Sequence, residues 1–185
     1  MFLPNIAVLS GLLVGSELTL ALAKRSHSGK KDRATLPLLW LVIGLSLCLA
    51  FELRARLPQG LMPHPLSCYL VGLCLFTAGL ILRWWAIVYL GRFFTVNVAI
   101  AEDHQLITTG PYRYVRHPSY SGSLLIFLGF ALCFQNFFSL VALLIPISAA
   151  FLWRIHVEEM ALRANFGERY VRYARETYRV IPFVY

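Results

Sequence analysis

Between Ser123 and Ile155 the chain runs 33 residues with no acidic or basic side chain before Arg154. A single α-helix of that length would reach ~50 Å, well beyond the ~30 Å hydrocarbon core of a bilayer. A polar pair, Gln135–Asn136, interrupts the run near its middle. The segment therefore predicts a helical hairpin that enters and leaves on one side, with arms that cross or stop short. Pro146 is expected to kink the second arm.

Three further apolar stretches precede it: Phe2–Ala23, broken by Asn5 and Glu17, Leu36–Phe51, and Leu66–Leu90, interrupted by Arg83. Hydrophobic residues make up 58% of the 185 and charged residues 14%. Soluble domains carry about 45–50% and about 25% respectively, so this chain needs lipid to hide its apolar surface. The expected fold is an all-α integral membrane domain with about five membrane-embedded helices. Residues 1–81 supply the N-terminal spans, and residues 82–185 form the half that carries the chemistry. Phe2–Ala23 reads as a span rather than a signal peptide, because its positive charges follow the apolar run.

The formal charge of +8 suggests nucleic acid at first sight, but the basic residues flank the apolar runs, which points to membrane orientation. The first loop holds five basic residues, the third three and the tail six. These fourteen face two, Arg54 and Arg56, in the second loop. The positive-inside rule then puts the N-terminus outside and the C-terminus in the cytoplasm. Val157–Tyr178 reads as a cytoplasmic helix, with Leu162, Phe166, Tyr170 and Tyr173 at three- and four-residue spacing and Gly167 as a weak point. The four cysteines lie in or beside apolar runs and read as small buried hydrophobes. No histidine or cysteine pattern suggests a metal.

Two polar clusters border the hairpin. One spans Glu102 to Gly122; the other is Arg154-Ile155-His156-Val157-Glu158-Glu159. Because the hairpin returns the chain to one face, the two can meet. Gly110–Pro111 signals a turn, and Pro118 suits the first turn of the next helix while disfavouring α geometry at His117. That helix start would offer amide donors to an anion. Tyr112, Tyr114 and Tyr120 offer aromatic faces and hydroxyls to a ring such as adenine. Tyrosine and arginine also gather at membrane surfaces without any ligand. Arg154 and Glu158, four apart, would share a helix face as an ordinary pair, and Arg116 across the hairpin could neutralise the adjacent carboxylates. Arg83 within the third span could pair with Glu17 of the first.

The string Gly110-x-Tyr112-x-x-x-Arg116-His117-Pro118-x-Tyr120, preceded by His104-x-Leu106, resembles that of isoprenylcysteine carboxyl methyltransferases and related membrane methyltransferases. Arg154-x-x-x-Glu158-Glu159-x-x-Leu162-x-x-x-Phe166-Gly167-x-x-Tyr170-x-x-Tyr173 is similar to the closing motif of that family, and Ile181-Pro182-Phe183 to its ending. The resemblance covers roughly Leu82 to the C-terminus. It implies S-adenosyl-L-methionine as cofactor, in contact with His104, Gln105, Leu106, Ile107, Tyr112, His117, Pro118, Ser119, Tyr120 and Glu158. It implies Arg116, Arg154 and Glu159 near the acceptor as catalytic residues. The acceptor would be lipid-like or prenylated, its chain reaching the site between helices from the membrane.

Two other activities fit part of this pattern. Sterol-type reductases using NADPH carry a similar string, and Gly122 matches its closing glycine. Phospholipid N-methylation would use the same donor with an amine acceptor. The Glu158–Glu159 pair with Phe166–Gly167 favours a methyltransferase over a reductase, and the resemblance makes a carboxylate such as an isoprenylcysteine terminus the expected acceptor, with an amine as the alternative. A non-catalytic assembly role is the remaining alternative.

Overall fold

The computed structural model describes residues 4–23, 35–94 and 105–183. His104 and the loop that contains His27 lie outside the described residues. The described chain is all-helical: α1 Ile6–Ala23, α2 Thr35–Arg56, α3 Pro65–Leu90, α4 Pro118–Cys133, α5 Phe137–Phe166 and α6 Glu168–Glu176. Three stretches, Thr35–Arg56, Pro65–Phe93 and Phe137–Phe166, are long and apolar enough to cross a membrane, while Ile6–Leu20 and Pro118–Cys133 are apolar but shorter. Together they form the five apolar helices of a multi-pass membrane protein. Large apolar side chains such as Leu12, Leu18, Leu45, Ile81, Val88 and Ile145 point outward, as lipid-facing surface must.

The hairpin turns where the polar pair stands. α4 ends at Cys133 and α5 starts at Phe137. Gln135 takes a left-handed φ of 56°, and the Asn136 side chain accepts the Ser139 amide at 3.1 Å, capping α5. The same pair fastens the α2–α3 connection. The Met62 amide donates to the Gln135 carbonyl at 2.8 Å, the Asn136 amide group to the Leu57 carbonyl at 2.9 Å, and the Arg54 guanidinium to the Phe134 carbonyl. These bonds satisfy backbone groups that lipid could not.

α3 and α4 meet along a seam of small residues. A Cβ on Gly72 would lie 2.6 Å from the Gly129 carbonyl oxygen, and one on Gly79 would lie 2.7 Å from the Gly122 carbonyl oxygen. Backbones approach this closely only where no side chain intervenes. The seam holds Arg83 of α3 against Ser119 and Ser123 of α4, where its guanidinium donates to both.

Four expectations are corrected. α2 extends through Arg56, closing on an exposed Glu52–Arg56 pair at 2.7 Å. α5 begins inside the bundle and runs to Phe166, so no new helix starts at Val157. The break falls at Gly167, whose φ of 54° ends α5 and lets α6 turn away. Thr177 leaves the helix for extended backbone, so Tyr178 lies outside it. Of the cysteines only Cys133 is buried; Cys48 and Cys74 are exposed on the outer surface of the bundle.

Candidate active site

At the end of the bundle opposite Gln135–Asn136, the chain makes a corner. Gly110–Arg113 form a single tight turn that buries Tyr112, and Pro118 then opens α4 with His117 at φ −126° and ψ 57°. The His117 carbonyl accepts the Tyr120 and Ser121 amides, each at 3.0 Å, so most of the helix start that was expected to offer amides to an anion is used internally. The C-terminal segment returns alongside the corner. The Arg116 amide donates to the Tyr178 carbonyl at 2.8 Å, the Tyr178 amide to the Tyr114 carbonyl at 3.1 Å, and the His117 amide to the Arg179 carbonyl at 3.1 Å. Arg116 also donates to the carbonyls of Ala174 and Thr177. α6 packs against this corner through buried Tyr170 and Tyr173.

A cavity of about 250 Å³ opens between α1, α2, α4, α5 and the corner. Its polar wall carries Gln105, Tyr112, Arg116, His117, Ser119, Tyr120, Arg154 and Glu158, with Leu106 and Ile107 beside them. Its apolar wall includes Leu39, Ile43, Ile126, Phe127 and Phe151, and reaches Val14 and Trp40 on the lipid-facing side. Ten of the thirteen site residues expected from sequence therefore converge on one space.

The other three do not line it. His104 lies outside the described residues. Pro118 is buried in the first turn of α4. Glu159, expected beside the acceptor, is turned away, because successive helical residues point about 100° apart. It is 2% exposed and sits at the centre of a cationic cluster. Arg116 lies 3.0 Å from its carboxylate, Arg179 2.9 Å, His117 3.4 Å and Arg163 3.9 Å. This cluster ties α5 to the corner and to the returning C-terminal segment. Tyr114 also departs from expectation: it is 62% exposed and contributes no face to the cavity.

Arg154 and Glu158 share a helix face, with a tyrosine between them. Arg154 Nε donates to the Tyr120 hydroxyl at 3.0 Å, and that hydroxyl donates to Glu158 Oε2 at 2.8 Å. A second Arg154 nitrogen donates to Thr35 Oγ1, the first residue of α2, at 2.8 Å. The Tyr120 ring is held between His117 and Phe151, with centroids 5.7 and 5.6 Å away. The two charges thus form one relay across three helices.

Glu17 and Arg83 were expected from sequence as an ion pair. They are paired, at 2.8 Å, and both also line the cavity. Tyr170 and Tyr173 line it as well, and their helical periodicity was the signal that could have placed them there. Burial pushes the phenols of Tyr112, Tyr170 and Tyr173 above their ordinary range, so they stay protonated. Tyr173 donates to the Tyr112 carbonyl at 2.7 Å. The Tyr170 hydroxyl is buried with no partner among the described residues. A buried orphan donor on a cavity wall suits a ligand that brings an acceptor.

Charges of both signs, held inside an apolar helical bundle beside its outer apolar surface, make this cavity the candidate active site of a membrane protein. A sequence model of the isoprenylcysteine carboxyl methyltransferase (ICMT) family matches residues 70–164. A probable protein-S-isoprenylcysteine O-methyltransferase of Oryza sativa subsp. indica is 35% identical over 144 residues, covering 75% of each chain. Protein-S-isoprenylcysteine O-methyltransferase B of Arabidopsis thaliana is 39% identical over 115 residues, which are 61% of this chain and 58% of that one. The solved structure of the eukaryotic intramembrane Ras methyltransferase ICMT has the same fold, with a TM-score of 0.70 at 24% identity. That match covers 97% of this chain and 65% of the other, so this chain spans just under two thirds of the solved protein. The chain belongs to the isoprenylcysteine carboxyl methyltransferase family.

Proposed function

We propose that this protein is an S-adenosylmethionine-dependent membrane methyltransferase acting on the carboxylate of an isoprenylcysteine-type acceptor. The observation that carries the reading is the Arg154–Tyr120–Glu158 relay, placed where the polar and apolar walls of one cavity meet.

S-adenosylmethionine, when bound, supplies a methyl group on a cationic sulfonium. Glu158 matches the positive charge of such a ligand, and the orphan Tyr170 hydroxyl suits one of its acceptors. Arg154 holds the acceptor carboxylate, for which a guanidinium is suited by its paired, planar donors. Its own orientation is fixed by Tyr120 and Thr35. Displacement at a methyl carbon asks the protein for alignment and water exclusion more than for proton transfer, and the relay supplies the alignment. The apolar wall from Ile126 to Trp40 receives the lipid part of the acceptor. The site end of the bundle faces the cytoplasm, as the fourteen-to-two distribution of basic residues favours.

The test is methyl transfer from a radiolabelled donor to a prenylcysteine analogue in reconstituted membranes. Glu158→Ala is expected to weaken S-adenosylhomocysteine binding, whereas Arg154→Ala leaves that binding within a few-fold and lowers turnover. Equal loss of donor affinity in both variants would refute the division of roles. Protection by NADPH in the absence of protection by S-adenosylhomocysteine would overturn the activity itself.

A further inference from the structure

A second recess, of about 440 Å³, lies on the outer side of the corner, bounded by Arg113 from the turn before α4 and by Arg169 and Arg172 from α6. Glu176 is the one carboxylate on its rim. Several other arginines at this end of the molecule are engaged: Arg83 with Glu17, and Arg116, Arg163 and Arg179 with Glu159. Arg113, Arg169 and Arg172 are exposed and make no hydrogen bond or ion pair among the described residues. Three guanidiniums against one carboxylate leave the recess with an excess of positive charge that an anion would offset.

The level of the recess in the fold indicates the source of that anion. The outward apolar surface of α5 continues through Trp153 and Met160, 60% and 51% exposed, and gives way to the exposed Arg163–Asn165 stretch in the two turns before α6. Tyr114 and Tyr178, paired at the corner, stand exposed at the same end of the molecule, as aromatic residues do at the headgroup level of a bilayer. A phosphate at this level belongs to a lipid.

We propose that this recess is a binding site for the phosphodiester headgroup of an anionic phospholipid, held by Arg113, Arg169 and Arg172. Leu106 and Tyr173 belong to both the recess and the catalytic cavity, so a headgroup seated here touches the outer face of the catalytic wall. The proposal does not depend on which acceptor is methylated.

The experiment uses the full chain in phosphatidylcholine nanodiscs, with spin-labelled phosphatidylglycerol or spin-labelled phosphatidylcholine as probe. The fraction of motionally restricted label measures association. An arginine near an anionic surface contributes about five-fold in association (~1 kcal/mol). The wild-type protein is expected to prefer phosphatidylglycerol. Arg169→Gln combined with Arg172→Gln lowers that preference at least about five-fold, and Arg113→Gln lowers it in the same direction from a different element. Arg175→Gln, an equal charge change on α6 outside the recess, leaves it within two-fold. An equal fall in the Arg175 variant, or no preference in the wild type, would overturn the site. Displacement of the probe by millimolar soluble glycerophosphoglycerol would overturn the lipid as its occupant. Should the α6 double variant not fold, Arg113→Gln against Arg175→Gln decides the matter alone.

Discussion

Glu159→Gln separates a reacting carboxylate from a structural one. The substitution keeps the shape and one acceptor oxygen but removes the negative charge from among Arg116, Arg163, Arg179 and His117. Glu159 is 2% exposed, and its nearest cationic atoms lie 2.9 and 3.0 Å away. Removing one partner of a buried ion pair costs about 3–5 kcal/mol, because the remaining charge keeps its desolvation penalty. Arg179 retains about a quarter of its side-chain exposure and can relax toward solvent, which places the expectation at the lower end of that range. For a chain of this size, each kcal/mol shifts the midpoint by about 2–4 °C, so the fall expected is about 6–12 °C. The assay is thermal unfolding in detergent with and without S-adenosylhomocysteine, followed by methyl transfer at a temperature where both proteins are folded. Under those conditions the variant should keep kcat within about ten-fold. An unchanged midpoint together with a thousand-fold lower kcat would refute the reasoning and return Glu159 to the reacting groups.

Tyr120→Phe removes both bonds of the relay while leaving its ring packing. Two bonds to charged partners predict a fall of about ten- to hundred-fold in kcat/KM, or about 1.5–3 kcal/mol, with KM raised for donor and acceptor alike. A rise confined to the donor would argue against the coupling. Glu17→Gln is expected to destabilise the protein by about 3 kcal/mol or more, since it strands Arg83 in the bundle, and adding Arg83→Gln should recover part of that loss in a double-mutant cycle. Gly129→Ala places a Cβ against the backbone of Gly72 and Phe76 and should cost about 1–3 kcal/mol by thermal unfolding, whereas Gly44→Ala, with open space around it, should be neutral or stabilising.

The order of apolar runs, the hairpin and its polar turn were legible because lipid imposes length and apolarity on each helix directly. The convergence of Tyr112, Arg116, His117, Tyr120, Arg154 and Glu158 was legible once the hairpin was in place, and the family was legible in the motifs that flank it. What stayed hidden depended on rotation and closure. The sequence places Glu158 and Glu159 side by side, and only the setting of α5 in the bundle sends one to the cavity and the other to the cluster. Gly167 was visible as a weak point, yet whether it bends a helix or ends one is decided by the packing of Tyr170 and Tyr173 beyond it. Pairing between residues 114–117 and 178–179 has no local signature, being a contact between distant stretches of irregular backbone.

That pairing orders events during synthesis. Glu159 can engage the Arg116 and His117 side chains once α5 is in place, but their backbone amides have no partner until Tyr178 and Arg179 have been made. The corner is therefore the last part of the site to close, and a tether stretching residues 177–180 away from the bundle would keep an otherwise assembled molecule silent.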